Sequence, residues 1–316
     1  MVDHFCFCHR LLRTNSEVVF WRVKKGGLMR DFENNHGHED DGVDHTMIHS
    51  LPDRFPGNIH VATPTGGQGK TTIVQILHYA LLLKGIYIDL YSLDAAKKGT
   101  VSKLGRVLPV KKEFVISASM EEIADHPEMA LQHFDEIGDF MSSPGAMYDF
   151  GANVAPMLYA WAPVAGLAAF HGEMPPITLV VPVTAHATAI EGALETIADA
   201  RKSLRDLPVR KVIIVYNERE EGFSSALPGY DKLLALETDE SKDFVVKSIT
   251  LPKLVSEIWV KVQSTGMNFH DVLKYTPKEL MVFLELPGLR CARGQERLRN
   301  WLDKAAQDFD EIGLAP

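Results

Sequence analysis

In the stretch TPTGGQGKTT, Lys70 follows Gly66, Gly67, Gln68 and Gly69 and precedes Thr71 and Thr72. Glycines let backbone amides approach an anion closely, a lysine behind them brings charge to the outer oxygens of a polyphosphate, and a hydroxyl next in line can ligate a divalent cation. The common spelling of such a loop, G-x-x-x-x-G-K-[ST], calls for glycine six residues before the lysine, where this chain has Pro64. The alternative is a glycine turn with an exposed lysine, so context decides. An apolar run, Ile59 to Thr63, precedes the loop and reads as a strand, while Thr71 to Lys84 has helical length and spacing. Loop amides and helix N-terminus then converge on one anion.

The same alternation continues along the chain. Further strands are expected at Ile86 to Tyr91, Glu113 to Ser117, Ala146 to Asp149, Ile177 to Val183 and Lys211 to Tyr216, and helices at Met120 to Met141 and Ala187 to Leu204. Short, mostly apolar runs alternating with helices and joined by short connections specify an α/β fold, a doubly wound, mostly parallel sheet flanked by helices; with the glycine loop after its first strand, this is the pattern of the P-loop NTPase fold. Phe223 to Asp243 reads as an irregular excursion, followed by a helical region from about Leu254. Residues 1–56 lack a sustained hydrophobic period and read as a flexible N-terminal tail; residues 57–316 read as one nucleotide-binding domain.

Composition narrows the class. The 316 residues are 46% hydrophobic with a formal charge of -9, enough apolar content for a sizeable core and a poor charge balance for coating nucleic acid. Three cysteines make no disulfide framework, and the N-terminal order is not that of a secretory signal, so a cytoplasmic location is expected. The uncharged run Gly151 to Phe170 is long enough to span a bilayer, but Pro156 and Pro163 interrupt it. A buried or interface segment is the preferred reading, with insertion as the alternative. Cys6, Cys8 and the histidines near the N-terminus match no zinc-site spacing. The last helix, Gln295 to Ile312, has an apolar face and an acidic polar one, which favours docking on the core over membrane association. Arg290, Arg293, Arg297 and Arg299 form a local basic cluster.

The spelling GGQGKTT resembles the deviant phosphate loop, K-G-G-x-G-K-[ST]-T, of the ParA/MinD family of ATPases, in which the position held here by Pro64 is free. The resemblance covers most of the chain from Asn58 onward. IYIDLYSLDAA is similar to the family's acidic motif D-x-D-P, with Asp89 at its first aspartate, and AMYDFGAN places Asp149 and Gly151 where the family holds magnesium and senses the γ-phosphate. KVIIVYNER puts Asn217 where the family recognises adenine; as plain sequence, it is equally a turn residue after a strand, and each aspartate equally a cap.

Residue by residue, the resemblance implies catalytic roles for Lys70, Asp89, Asp94 and Asp149, nucleotide contacts from Gly66, Gly67, Gln68, Gly69, Lys70, Thr71, Thr72 and Asn217, and Mg2+ held through Thr71 and Asp149. It departs in two places. The family's signature lysine, five residues before the loop lysine, is Thr65 here, and the second aspartate of the acidic motif aligns without gaps to Tyr91, with Asp94 as a replacement if the loop carries a short insertion. Lys97, Lys98 or a partner's lysine are candidates for the missing charge. The resemblance implies a nucleotide-dependent homodimer, binding ATP with Mg2+, that positions plasmid or chromosomal DNA or conjugation machinery. Among such proteins it is most similar to divergent plasmid-encoded members of the StbB type. Alternatives are a hydrolysis-poor adaptor that recruits a DNA-binding or membrane partner, and a small-molecule kinase or ligase.

Overall fold

The computed structural model divides the chain into two units, residues 1–50 and 51–316. In the first it describes the backbone of four short strands; in the second, residues 53–94, 101–116, 125–126, 128–170, 172–239 and 243–314, with the side chains of 128–133 excepted. The first unit contains two antiparallel pairs: β1 (Arg13–Thr14) with β2 (Glu17–Val18), and β3 (Arg22–Lys24) with β4 (Gly27–Met29). The cysteines and histidines of the expected tail lie outside the described residues.

The second unit is a seven-stranded sheet in the order β11-β10-β9-β5-β8-β6-β7, from β5 (Asn58–Val61), β6 (Asp89–Asp94), β7 (Lys112–Val115), β8 (Ala146–Phe150), β9 (Ile177–Val183), β10 (Val209–Asn217) and β11 (Val245–Leu251). Every pairing in this sheet is parallel. All C-terminal strand ends therefore open on one edge, where an α/β sheet binds its ligand.

Helices cover both faces. The helices are α1 (Lys70–Leu83), α2 (Glu128–Met141), α3 (Val154–Val164), α4 (Ala187–Lys202), α5 (Tyr230–Glu237), α6 (Trp259–Thr265), α7 (Phe269–Lys274), α8 (Pro277–Leu284) and α9 (Gly288–Glu311). Adjacent strand residues point to opposite sides, so Tyr148, Leu179 and Ile214 join the core under α2, α3 and α4, while Met147, Val180 and Ile213 join the core under α1 and α9. The buried side chain of Asn58 donates to the Met141 carbonyl (2.8 Å) and accepts from the Ala146 amide (3.1 Å), fixing the β5–β8 register beneath the loop.

Two expectations shift, and the preferred reading of the uncharged run holds. β6 begins three residues later than its apolar run, because the lead-in residue Tyr87 bridges Arg54, taking the Asp53 carbonyl and serving the Phe55 amide, before the strand joins β8. β11 and α5 occupy the stretch that reads as an excursion and its sequel; β11 alternates buried and exposed positions as an edge strand does. The uncharged run forms α3, whose Val154, Met157, Leu158 and Trp161 are buried against α2 and α4, and a 3-10 turn at Leu167–Phe170. Among the described residues no helix is long and apolar enough to cross a membrane. The expected helix start at Met120 lies outside the described residues. Helix α9 docks as expected, with Leu298, Leu302, Ala305 and Phe309 buried and Tyr79 of α1 donating to Asp303 at 2.7 Å.

Candidate functional site

The loop leaves β5 and enters α1 at Gly69, whose φ of 85° requires glycine. A side chain there would also meet Asn217 Nδ2 at 2.6 Å, whereas positions 66 and 67 face open space. The first intrahelical bond runs from the Ile73 amide to the Gly69 carbonyl, so the amides of Lys70, Thr71 and Thr72 stand outside the helical ladder. No side chain caps this end and no acidic residue lies in the first turn, which leaves the amides and the positive end of the helix dipole for an anion.

Side chains from neighbouring strand ends hold the loop open. Gln68 donates to the Gly66 carbonyl (3.1 Å) and accepts from the amide and hydroxyl of Thr184 beyond β9 (3.0 and 2.6 Å). Asn217, ending β10, donates to the Gln68 carbonyl at 3.0 Å, and Arg219 donates to the Gly67 carbonyl at 2.7 Å. Pro64 fits for a structural reason: its carbonyl accepts from the Asn153 amide and its ring lies against Gly192 of α4.

Lys70 donates to the carbonyls of Thr63 (3.1 Å) and Thr65 (3.0 Å). Burial lowers its pKa to about 8, against the attraction of Asp149 and Asp94. Thr71 Oγ1 donates to Asp149 Oδ2 at 2.9 Å, bringing together the expected magnesium pair. Burial raises Asp149 to about 6, opposed by that hydrogen bond and by the charge of Lys70. No group of three or more His, Cys, Asp or Glu side chains suited to a metal exists among the described residues. An ion at Thr71 and Asp149 would complete its shell with phosphate oxygens and water, an all-oxygen set that suits Mg2+. The donor set and the open glycine positions fit a magnesium-bound polyphosphate.

Asp89 and Asp94 part company. Asp94 ends β6 and lines the same cleft as the loop, Ser92, Asp149 and Gly151, a space of about 310 Å3. Its Oδ1 lies 2.6 Å from where a Gly151 Cβ would be, so only glycine fits opposite it. Asp89 begins the strand, at the other edge of the sheet, where Arg54 and Lys111 each reach Oδ2 at 2.8 Å and Tyr87 donates to Oδ1. The structure therefore does not bring Asp89 to the loop. Tyr91, aligned by the ungapped comparison, is a core residue stacked on Tyr148. Both outcomes follow from the three-residue shift of β6.

Gly66, Gly67, Gln68, Gly69, Lys70, Thr71 and Thr72 line the cleft together, and Asn217 backs it. Two basic lining residues have no counterpart among the expectations: Arg219, two residues past Asn217, and Lys103, which no motif marks. Lys97 and Lys98 lie outside the described residues. Of the basic cluster, Arg293 and Arg297 both reach Glu257, at 3.7 and 3.0 Å.

A parallel sheet, a glycine loop between β5 and α1, and a Thr–Asp pair beside its lysine are now in place. This is the fold of the P-loop nucleotide-binding proteins. No protein-family model matches the chain, and no curated protein matches it in sequence. Solved structures similar to it include apo McdA from Cyanothece (14% identity over 78% of this chain and 99% of that one, TM-score 0.38). The MinC:MinD cell division protein complex of Aquifex aeolicus aligns at 12% identity over 78% and 96%, with a TM-score of 0.35. Cobyrinic acid a,c-diamide synthase from Mycobacterium smegmatis, bound to ADP and magnesium, aligns at 15% identity over 66% and 92%, with a TM-score of 0.34. Likeness at this level assigns this chain no activity and no partner.

Proposed function

We propose that this chain is an ATPase of the ParA/MinD type, binding Mg-ATP in the cleft at the C-terminal edge of the sheet. The observation that carries it is the assembly of Lys70, Thr71, Asp149 and Asp94 around one glycine loop. Loop amides and Lys70 hold the phosphates, while Thr71 and Asp149 would hold the ion, which when bound would neutralise charge on the phosphate oxygens. Asp94 orients a water whose oxygen bonds to the γ-phosphorus as the bond to the β–γ bridging oxygen breaks; the electron pair leaves with ADP and the released proton passes to bulk water. Asn217, already fixed by Gln68, borders the base.

Two copies closing over the nucleotide, and a cargo of DNA or a DNA-binding partner, are the remaining parts of the proposal, supported by the sequence resemblance alone. A hydrolysis-poor adaptor is the second reading, favoured by Thr65, which brings no charge and whose carbonyl is occupied by Lys70. The test is steady-state hydrolysis and calorimetric binding of Mg-ATP, with and without DNA. Lys70→Ala should lower ATP affinity at least ~10²-fold, a magnitude in keeping with losing a buried charged contact to phosphate. Unchanged affinity would reject the site; tight binding with no phosphate released would select the adaptor.

A further inference from the structure

Among the described residues, Lys103 stands in the cleft without an ion-pair partner. It lines the same space as Lys70, Asp94, Asp149 and Gly151, and its ammonium makes no hydrogen bond or ion pair with any described residue. Its charge is felt by both Lys70 and Asp149. Most surface lysines without partners are held by nothing and swing in solvent. The backbone carrying this one is fixed at several points.

Residues 102 to 108 form tight turns closed by Arg106 N to Ser102 O and Leu108 N to Leu104 O, with Leu104 fully buried in the core. Glu113, on β7, clasps the start of the turn: Oε1 accepts from the Ser102 hydroxyl (2.9 Å) and Oε2 from the Ser102 amide (3.2 Å). The same hydroxyl accepts from the Gly105 amide at 2.9 Å. A Cβ on Gly105 would lie 2.0 Å from Glu113 Oε1, so the clasp depends on glycine there. Glu113 is thus spent on backbone and hydroxyl, and Lys103 lines the cleft with no direct ion pair to any described residue.

We propose that Lys103 supplies, from within the same chain, the positive charge at the terminal phosphate that Thr65 cannot; this rests on the cleft being the Mg-ATP site proposed above. Lys103 forms and breaks no bond. It binds non-bridging γ-phosphate oxygens and offsets the negative charge that Asp94 and Asp149 place around them, a role in which fixed cations act chiefly on the transferring group. Its contact is with the γ-phosphate, so it distinguishes triphosphate from diphosphate.

The experiment is calorimetric titration of Mg-ATP and Mg-ADP into the full chain and into its Lys103→Ala, Lys103→Arg and Lys70→Ala variants, with folding of each checked by circular dichroism. Lys103→Ala should weaken Mg-ATP ~10-fold or more while Mg-ADP stays within about twofold, and Lys103→Arg should keep most of the ATP affinity, as expected for one charged hydrogen-bonding group on phosphate. Hydrolysis, where measurable, should fall further than binding. If Lys103→Ala binds ATP as the parent does while Lys70→Ala does not, Lys103 has no such role and the site stands. If Lys70→Ala also binds ATP normally, the site and the role of Lys103 fall together. An equal loss of ATP and ADP would overturn the assignment to the γ-phosphate.

Discussion

Strand β6 has an aspartate at each end, and the two ends of the sheet treat their acids oppositely. At the N-terminal edge, Asp89 is closed off by Arg54, Lys111 and Tyr87. Burial alone would raise its pKa, yet hydrogen bonds from Lys111 and Tyr87 and the charges of Lys111 and Arg54 hold it below the ordinary carboxylate range. At the C-terminal edge, the Asp149 carboxylate has one hydroxyl donor, the Asp94 carboxylate makes no hydrogen bond or ion pair with any described residue, and burial wins: Asp149 is raised to about 6. A closed cluster serves the fold. Groups left with spare capacity, in a cleft, mark where a ligand completes the charge balance.

The sharpest break in that comparison is Asp94→Asn. It should lower hydrolysis by about 10²- to 10⁴-fold, the range for a group that positions the attacking water, with Mg-ATP affinity held within about threefold; phosphate-release assays and calorimetry measure the two. Next comes Asp89→Ala, which strands Arg54 and Lys111. Both are about half exposed, so the loss is put at about 2 to 3 kcal/mol, below that of a fully buried pair, with Mg-ATP affinity at 25 °C unchanged in the folded fraction. Urea unfolding tests it, and a comparable loss of ATP affinity would mean that the two edges are coupled.

The smallest effect has the opposite sign. Raising Asp149 from the ordinary 3.8 to about 6 makes folding easier when the carboxyl is protonated, a contribution present below about pH 4 and lost as the pH rises through about 6. Asp149→Asn should therefore stabilise the nucleotide-free chain by about 1 to 2 kcal/mol at pH 7.5 and by little at pH 4, while removing magnesium-dependent nucleotide binding. Thermal melts at the two pH values measure the gain. Asp89, held low, contributes in the other direction, its share being lost as the pH falls.

Much of the fold is legible because buried parallel strands read as continuous apolar runs; Ile177 to Val183 is found at its expected bounds. Asn217 and the Lys70 loop are legible for the same reason, each sitting at the end of such a run. The register of β6 is not, since IYIDLY looks more strand-like than the half-polar DLYSLD that forms the strand. Its polar residues belong there because Ser92 and Asp94 face the cleft and Asp89 meets Arg54 and Lys111. Such partners come from far along the chain, and local hydropathy carries no trace of them. Lys103 is invisible for a related reason: its placement depends on Glu113 clasping Ser102, a tertiary contact between two unremarkable polar residues.

The packing of α9 along α1 has a consequence in time. Tyr79, on the helix that begins at the phosphate loop, meets Asp303 across 224 residues of chain. At about 5 to 20 residues per second, the ribosome takes roughly 10 to 45 s between the two. Through that interval Ile76, Leu77 and Leu81 wait for the side chains that will cover them. A nascent chain in this state exposes an apolar helix beside a half-built sheet, the kind of surface that chaperones hold. Stalling translation before Leu298 should yield chains that bind hydrophobic dyes and resist refolding until the missing helix is supplied.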